Sequence, residues 1–170
     1  MKKPITVYVG CALSDAPVTF QEEIIALKNE IRRLLPYVII LDFVPPNEDK
    51  SPHVIWKHDC ACIERCDVFL AVADFPSLGL GGELTEALRI HKKPTLVVAS
   101  QGVRVSRYVL GLIETHSHLA CFREFNSWSQ IIGHLEDFFL RHDVVKKNPL
   151  AEVREQNPAF MHEAPIYHTD

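Results

Sequence analysis

The sequence predicts a single Rossmann-like α/β domain, a parallel sheet of about five strands with helices on both faces. Three observations predict it. Strand-like and helix-like segments alternate along the chain with short turns between them. Residues 68–73 and 95–99 are continuous apolar runs, the pattern of parallel strands buried on both faces. The length of 170 residues supports one full core and is short for two.

Residues 5–10 are β-branched and aromatic and end in a glycine, which predicts a first strand, followed by a loop carrying Ser14, Asp15 and Pro17. From residue 20 the apolar positions Ile24, Leu27, Ile31 and Leu34 recur at helical spacing, with Glu22, Glu23, Lys28, Arg32 and Arg33 on the other side. Pro36 stops that helix. Residues 37–44 read as a second, buried strand, interrupted near its end by Asp42 and closed by Pro45 and Pro46. Ser51 and Pro52 supply an N-cap and a first-turn proline for a helix over 52–65. Residues 67–73 form the third strand, and 74–82 a glycine-rich turn that opens a helix over 83–91, ended by Lys92, Lys93 and Pro94. A fourth strand over 95–99, a helix around 103–114 and a short apolar piece at 119–122 follow. In the last helix, 128–140, Trp128, Ile131, Ile132, Leu135, Phe138 and Phe139 make one stripe. The domain is expected to span 1–142, leaving 143–170 as an aperiodic tail with Pro149, Pro158 and Pro165.

Composition narrows the function classes. Apolar residues make up 47% and charged ones 24%, as in ordinary folded proteins. A net charge of -4 lacks the footprint of a nucleic-acid binder, so no nucleic-acid polymer is expected as partner. No apolar stretch approaches the roughly 20 residues of a membrane span, and no membrane partner is expected. The N-terminal apolar run alternates like a strand rather than a signal peptide, so the protein is expected in the cytoplasm. Cys60, Cys62 and Cys66 lack paired zinc spacing and the nine histidines show no ligand pattern, so neither a metal nor a cofactor is expected.

In parallel sheets ligands bind beyond the carboxyl ends of the strands, here the loops starting at Gly10, Asp42, Asp74 and Ser100. The loop over 76–83, PSLGLGGE, holds Gly79, Gly81 and Gly82 ahead of Glu83 at a helix start. It follows the third strand and lacks the third glycine of a dinucleotide fingerprint, and it lacks the Gly-Lys-Ser/Thr end of a P-loop. Glu83 has a plain reading as a first-turn carboxylate facing the helix dipole. Asp59 has one as a solvated helix charge. Yet Asp59, Glu83 and Tyr8, at the first strand's end, converge on one crevice if the first and third strands are neighbours.

The stretch from Asp59 to Glu83, with Tyr8, Gly10, Lys93 and Pro94, resembles the nucleoside 2-deoxyribosyltransferase superfamily over about residues 5–140. Within it, the loop Pro76-Ser77-Leu78-Gly79 followed by Leu80-Gly81-Gly82-Glu83 resembles most the 2'-deoxynucleoside 5'-phosphate N-hydrolase branch, and the joint spacing of Asp59, Asp67, Ser77 and Glu83 is more specific than any of its pieces. The resemblance implies that Glu83 attacks the anomeric carbon, that Asp59 assists departure of the base, and that Tyr8 orients Glu83. It implies a nucleoside or nucleotide substrate held near Gly10, Ser14, Ser77, Gly79, Gly81 and Ser106, and a homodimer or larger assembly.

Two departures bear on the substrate. Ala12 and Ser14 stand where the phosphate-binding branch has a serine and an arginine, which removes one phosphate donor set. Ser77 matches that branch's phosphate serine, and Ser106, flanked by Arg104 and Arg107, is the candidate for another. An alternative of another class is a catalytically silent nucleotide-binding module of the same fold, motivated by Ala12. A phosphoribohydrolase resembling cytokinin-activating enzymes ranks last, because PSLGLGGE does not match its Pro-Gly-Gly-x-Gly-Thr loop.

Overall fold

The computed structural model describes residues 4–14, 16–44 and 50–144. Five parallel strands, β1 (Ile5–Cys11), β2 (Val38–Leu41), β3 (Val68–Val72), β4 (Thr95–Ser100) and β5 (Ala120–Phe125), lie in the order β2-β1-β3-β4-β5. The helices are α1 (Val18–Leu34), α2 (Pro52–Arg65), α3 (Leu78–Thr85), α4 (Arg107–Thr115) and α5 (Trp128–Arg141). Helices α1 and α5 cover one face, with Val7, Val9, Leu70 and Val98 beneath them. Residues of α2, α3 and α4 cover the other, over Tyr8, Phe69, Ala71 and Val97. The expected α/β class with helices on both faces is therefore the observed one. No described helix is long and apolar enough to cross a membrane.

This strand order puts the switch point between β1 and β3, whose following helices leave to opposite faces, so a crevice opens above their carboxyl ends. Pairing in register, Tyr8 to Phe69 and Gly10 to Ala71, fixes which side chains meet there. Because side chains alternate along a strand, Tyr8 and Gly10 share the face covered by α2 and α3. Polar contacts at the other end of these strands are structural. Asp67 accepts from the Thr6 amide at 2.8 Å and the Thr6 hydroxyl at 2.7 Å. Lys93 donates to the carbonyls of Glu64 at 2.7 Å and Cys66 at 2.8 Å, capping the end of α2.

The structure corrects several expected boundaries. The glycine-rich segment is not a turn before a helix at Glu83; α3 already begins at Leu78. Ser77 caps it, its hydroxyl accepting from the Leu80 amide at 3.2 Å, and Leu80 and Leu84 anchor its buried face. Gly79, Gly81 and Gly82 are helical, and Gly102 is the only described glycine with positive φ. The helix continues through a π-helical turn, Glu86–Ile90, and stops at Lys92, whose φ is 52°. The second strand is shorter than the apolar run that predicts it, because Asp42 turns away to pair with Arg32 of α1. The piece at 119–122 is a full edge strand that includes Arg123 and Glu124. The helix expected from 103 starts at Arg107, capped by Ser106. Of the expected tail, residues 145–170 lie outside the described residues.

Candidate active site

Tyr8 is the centre of the site. It lies within β1 rather than at its end, is 1% exposed, and stacks on Phe69 with ring centroids 5.5 Å apart. Its hydroxyl lies 3.1 Å from Asp59 Oδ1, on α2, and 3.4 Å from Glu83 Oε1, on α3. The neighbouring first and third strands thus bring the three expected catalytic side chains to one point. A single phenol proton serves one acceptor at a time, so a proton on one carboxyl lets the Tyr8 oxygen accept from it while donating to the other.

The electrostatics favour that shared-proton state. Burial, then the charges of Glu83 and Asp59, push the Tyr8 phenol far above its ordinary value, so it stays neutral. Burial raises Asp59 as well, partly opposed by the Tyr8 hydrogen bond. Glu83 is pushed up to about 8, first by burial and next by the charge of Asp59. Its position in the second turn of α3 takes it away from the helix dipole that a first-turn residue would feel. Glu83 Oε2 is buried and finds no hydrogen-bond donor among the described residues. That oxygen lies over Gly10, where a Cβ would stand 2.6 Å from it. Glycine at position 10 is what lets the carboxyl lie against β1.

Beside this cluster lies an open cavity of about 530 Å³. Ser14, Ser77, Gly79, Gly81, Arg104 and Ser106 all line it, so the expected substrate-binding residues other than Gly10 share one wall. Tyr8, Gly10, Asp59 and Glu83 are not among its lining residues. They join it along the chain: Ala12 lines it two residues after Gly10, and Gly79 lies one helical turn before Glu83. Two helix N-termini, capped by Ser77 and Ser106, reach the same cavity with the exposed Arg104, a donor set suited to an anion. Each capping hydroxyl accepts from a backbone amide and retains its own proton for a ligand. Asp74, between the lining residues Ala73 and Phe75, takes the amide and hydroxyl of Ser100, both at 2.7 Å. The described residues hold no group of three His, Cys, Asp or Glu placed for a metal.

His58, next to this cluster, escapes the sequence reading, and Asp42 enters it only as the start of a strand-end loop. His58 and Asp42 meet where its imidazole Nε2 lies 2.8 Å from the Asp42 carbonyl. Their sequence signals are faint: His58 adjoins Asp59, and Asp42 interrupts an apolar run.

Fold and site define an α/β domain with a carboxyl–phenol–carboxyl cluster beside an anion-suited cavity at its strand switch point. Among solved structures the chain is similar to the CMP N-glycosidase BcmB of Clostridium botulinum, with a TM-score of 0.57 and 20% identity over 78% of this chain and 98% of that one. It is also similar to a conserved protein from Enterococcus faecalis, with a TM-score of 0.58 and 13% identity over 79% and 98%. At these identities the likeness is one of fold. No protein-family model and no curated protein sequence matches the chain.

Proposed function

We propose that the protein cleaves the N-glycosidic bond of 2'-deoxynucleoside 5'-monophosphates through a covalent glutamyl-deoxyribosyl intermediate on Glu83. The observation that carries this reading is the Tyr8 hydroxyl in reach of both Asp59 and Glu83. Those two contacts bound the separation of the facing carboxylate oxygens at or below the roughly 6.5–9.5 Å that inverting glycosidases need for a water. A direct attack by one carboxylate fits that spacing better. A 2'-deoxy sugar suits the route because it lacks the electron-withdrawing hydroxyl that opposes positive charge at the anomeric carbon. The fold shared with a CMP N-glycosidase supports cleavage of this bond class.

The step balances within the cluster. The Glu83 proton passes to Tyr8 as the Tyr8 proton passes to Asp59, leaving Glu83 as carboxylate and Asp59 as acid. Glu83 then forms the bond to the anomeric carbon while the bond to the base breaks, and Asp59 gives its proton to the departing nitrogen. Water, or the nitrogen of a second base, gives a proton to Asp59 and attacks the same carbon, releasing the Glu83 carboxylate. Ser77, Ser106 and Arg104 hold the 5'-phosphate, replacing the donors absent at Ala12 and Ser14.

Chromatographic detection of free base from the four deoxynucleosides and their monophosphates, with and without a second base, tests the reading. Release from monophosphates is expected, and well-folded protein that binds them without release would favour the silent module. Arg104→Ala is expected to raise KM for a monophosphate about 10- to 100-fold, the range of a lost charge-assisted hydrogen bond, while leaving the nucleoside unchanged. Equal effects on both would remove the phosphate assignment.

We also propose a homodimer or larger assembly. Leu78, at the cavity wall, is 98% exposed, and Val54, Ile55 and Trp56 of α2 form an exposed apolar group. Light scattering should give at least twice the chain mass of 19.3 kDa, and a monomer at working concentration would overturn it.

A further inference from the structure

We infer that His58 is a positioning residue for Asp59: its hydrogen bond to the Asp42 carbonyl ties the turn of α2 that carries Asp59 to the end of β2. The inference rests on the proposed role of Asp59 as acid and base. Its starting point is how little apolar contact holds that turn, whose other side-chain hydrogen bonds are those of Asp59 with Tyr8 and of Cys60 with Glu86 at 3.2 Å. Every residue of α2 from Pro52 to Lys57 is exposed, and only Cys62 and Ile63 in the whole helix are buried. Asp59 lies between the loose half and the anchored half.

What α2 lacks in apolar contact it gains from Asp42. The Asp42 carbonyl lies 2.8 Å from His58 Nε2 and 3.9 Å from the Cys62 thiol, so α2 is held at two points one helical turn apart. A carbonyl only accepts, so Nε2 of His58 carries the proton. The Asp42 side chain faces the other way, to α1, with Arg32 Nη2 at 2.6 Å and the buried Lys28 ammonium at 3.4 Å. Lys28 also sits 3.4 Å above the centre of the Phe43 ring. The carbonyl that receives His58 is thus fixed by α1 on one side and by β2 on the other. The next residue along α2 is Asp59, whose 3.1 Å contact with Tyr8 depends on where this turn sits. The Lys28 ammonium also acts on Asp59 as a positive charge that opposes the effect of its burial.

The test compares His58→Ala, His58→Gln, Asp59→Asn and the His58→Ala/Asp59→Asn pair in single-turnover base release, with thermal midpoints in parallel. Glutamine places an N–H donor where the imidazole Nε2 stands. His58→Ala is expected to lower kcat about 10- to 30-fold with little change in KM, and His58→Gln to recover most of it. In the Asp59→Asn background His58→Ala should cost nothing further, since the residue acts through Asp59. An unchanged kcat in His58→Ala, a Gln variant no better than Ala, or fully additive losses would each overturn the inference while leaving the N-glycosidase reading intact. A wild-type protein that releases no base would overturn the reading and the inference with it.

Discussion

Glu83→Gln is expected to abolish base release, by at least about 10³-fold, and at the same time to make the protein more stable in alkaline solution. The first half follows from chemistry: an amide does not form the glycosyl ester. The second follows from linkage. Glu83 has its acidity shifted from 4.5 to about 8 in the folded chain, chiefly by burial and then by Asp59. The folded state therefore holds a proton between those values that the unfolded chain has released, and stability falls as pH rises through that window. At about 1.4 kcal/mol per pH unit the full shift bounds the cost near 5 kcal/mol, and about 2 to 4 kcal/mol is the expected reading. Glutamine is neutral throughout, so the variant should match the wild type near pH 4 and exceed its thermal midpoint above pH 8. The wild type should show its alkaline limb of kcat/KM near pH 8, where the cluster loses the proton that Asp59 delivers to the base. A variant that still turns over, or a stability gap as large at pH 4 as at pH 9, would refute this account.

Burial decides which parts of the molecule are legible from sequence and which are not. The central strands β3 and β4 are buried on both faces, and their apolar runs announce them. Edge strand β5 has one partner strand, tolerates Arg123 and Glu124, and so reads as only a short apolar piece. Glycine content suggests a turn over 79–82, yet the Ser77 cap and the burial of Leu80 and Leu84 outweigh a helix-propensity penalty of about 1 kcal/mol per glycine. The glycine backbones then become cavity wall.

Site residues divide in the same way. Tyr8, Asp59 and Glu83 are side chains with chemical character, and a resemblance in their spacing singles them out in the sequence; the structure supplies their contact. His58 acts on a backbone carbonyl, and a carbonyl has no letter in the sequence. That contact arises only once β2 and α2 are folded side by side.

Gly10→Ala should be nearly as damaging to activity as the loss of Glu83 itself, through one added methyl. That methyl would stand 2.6 Å from Glu83 Oε2 and 2.7 and 2.8 Å from two atoms of the Phe69 ring. The ring has nowhere to go, since Phe69 is fully buried and stacked on Tyr8. Overpacking of this kind costs about 1–3 kcal/mol, or roughly 2–12 °C in thermal midpoint for a chain of this size. The contact with Glu83 is relieved by that softer neighbour, whose carboxyl swings off β1 and away from Tyr8, while the contact with the ring remains as overpacking. We expect kcat to fall at least about 100-fold, with the pH dependence of stability flattened because the displaced carboxyl reaches solvent. Adding Phe69→Leu separates the two clashes. Removing the ring should return much of the stability, yet activity should stay low, because the methyl still occupies the place of the carboxyl oxygen. A Gly10→Ala protein with wild-type kcat, or a double variant that regains activity along with stability, would show that the carboxyl need not lie against β1 to react.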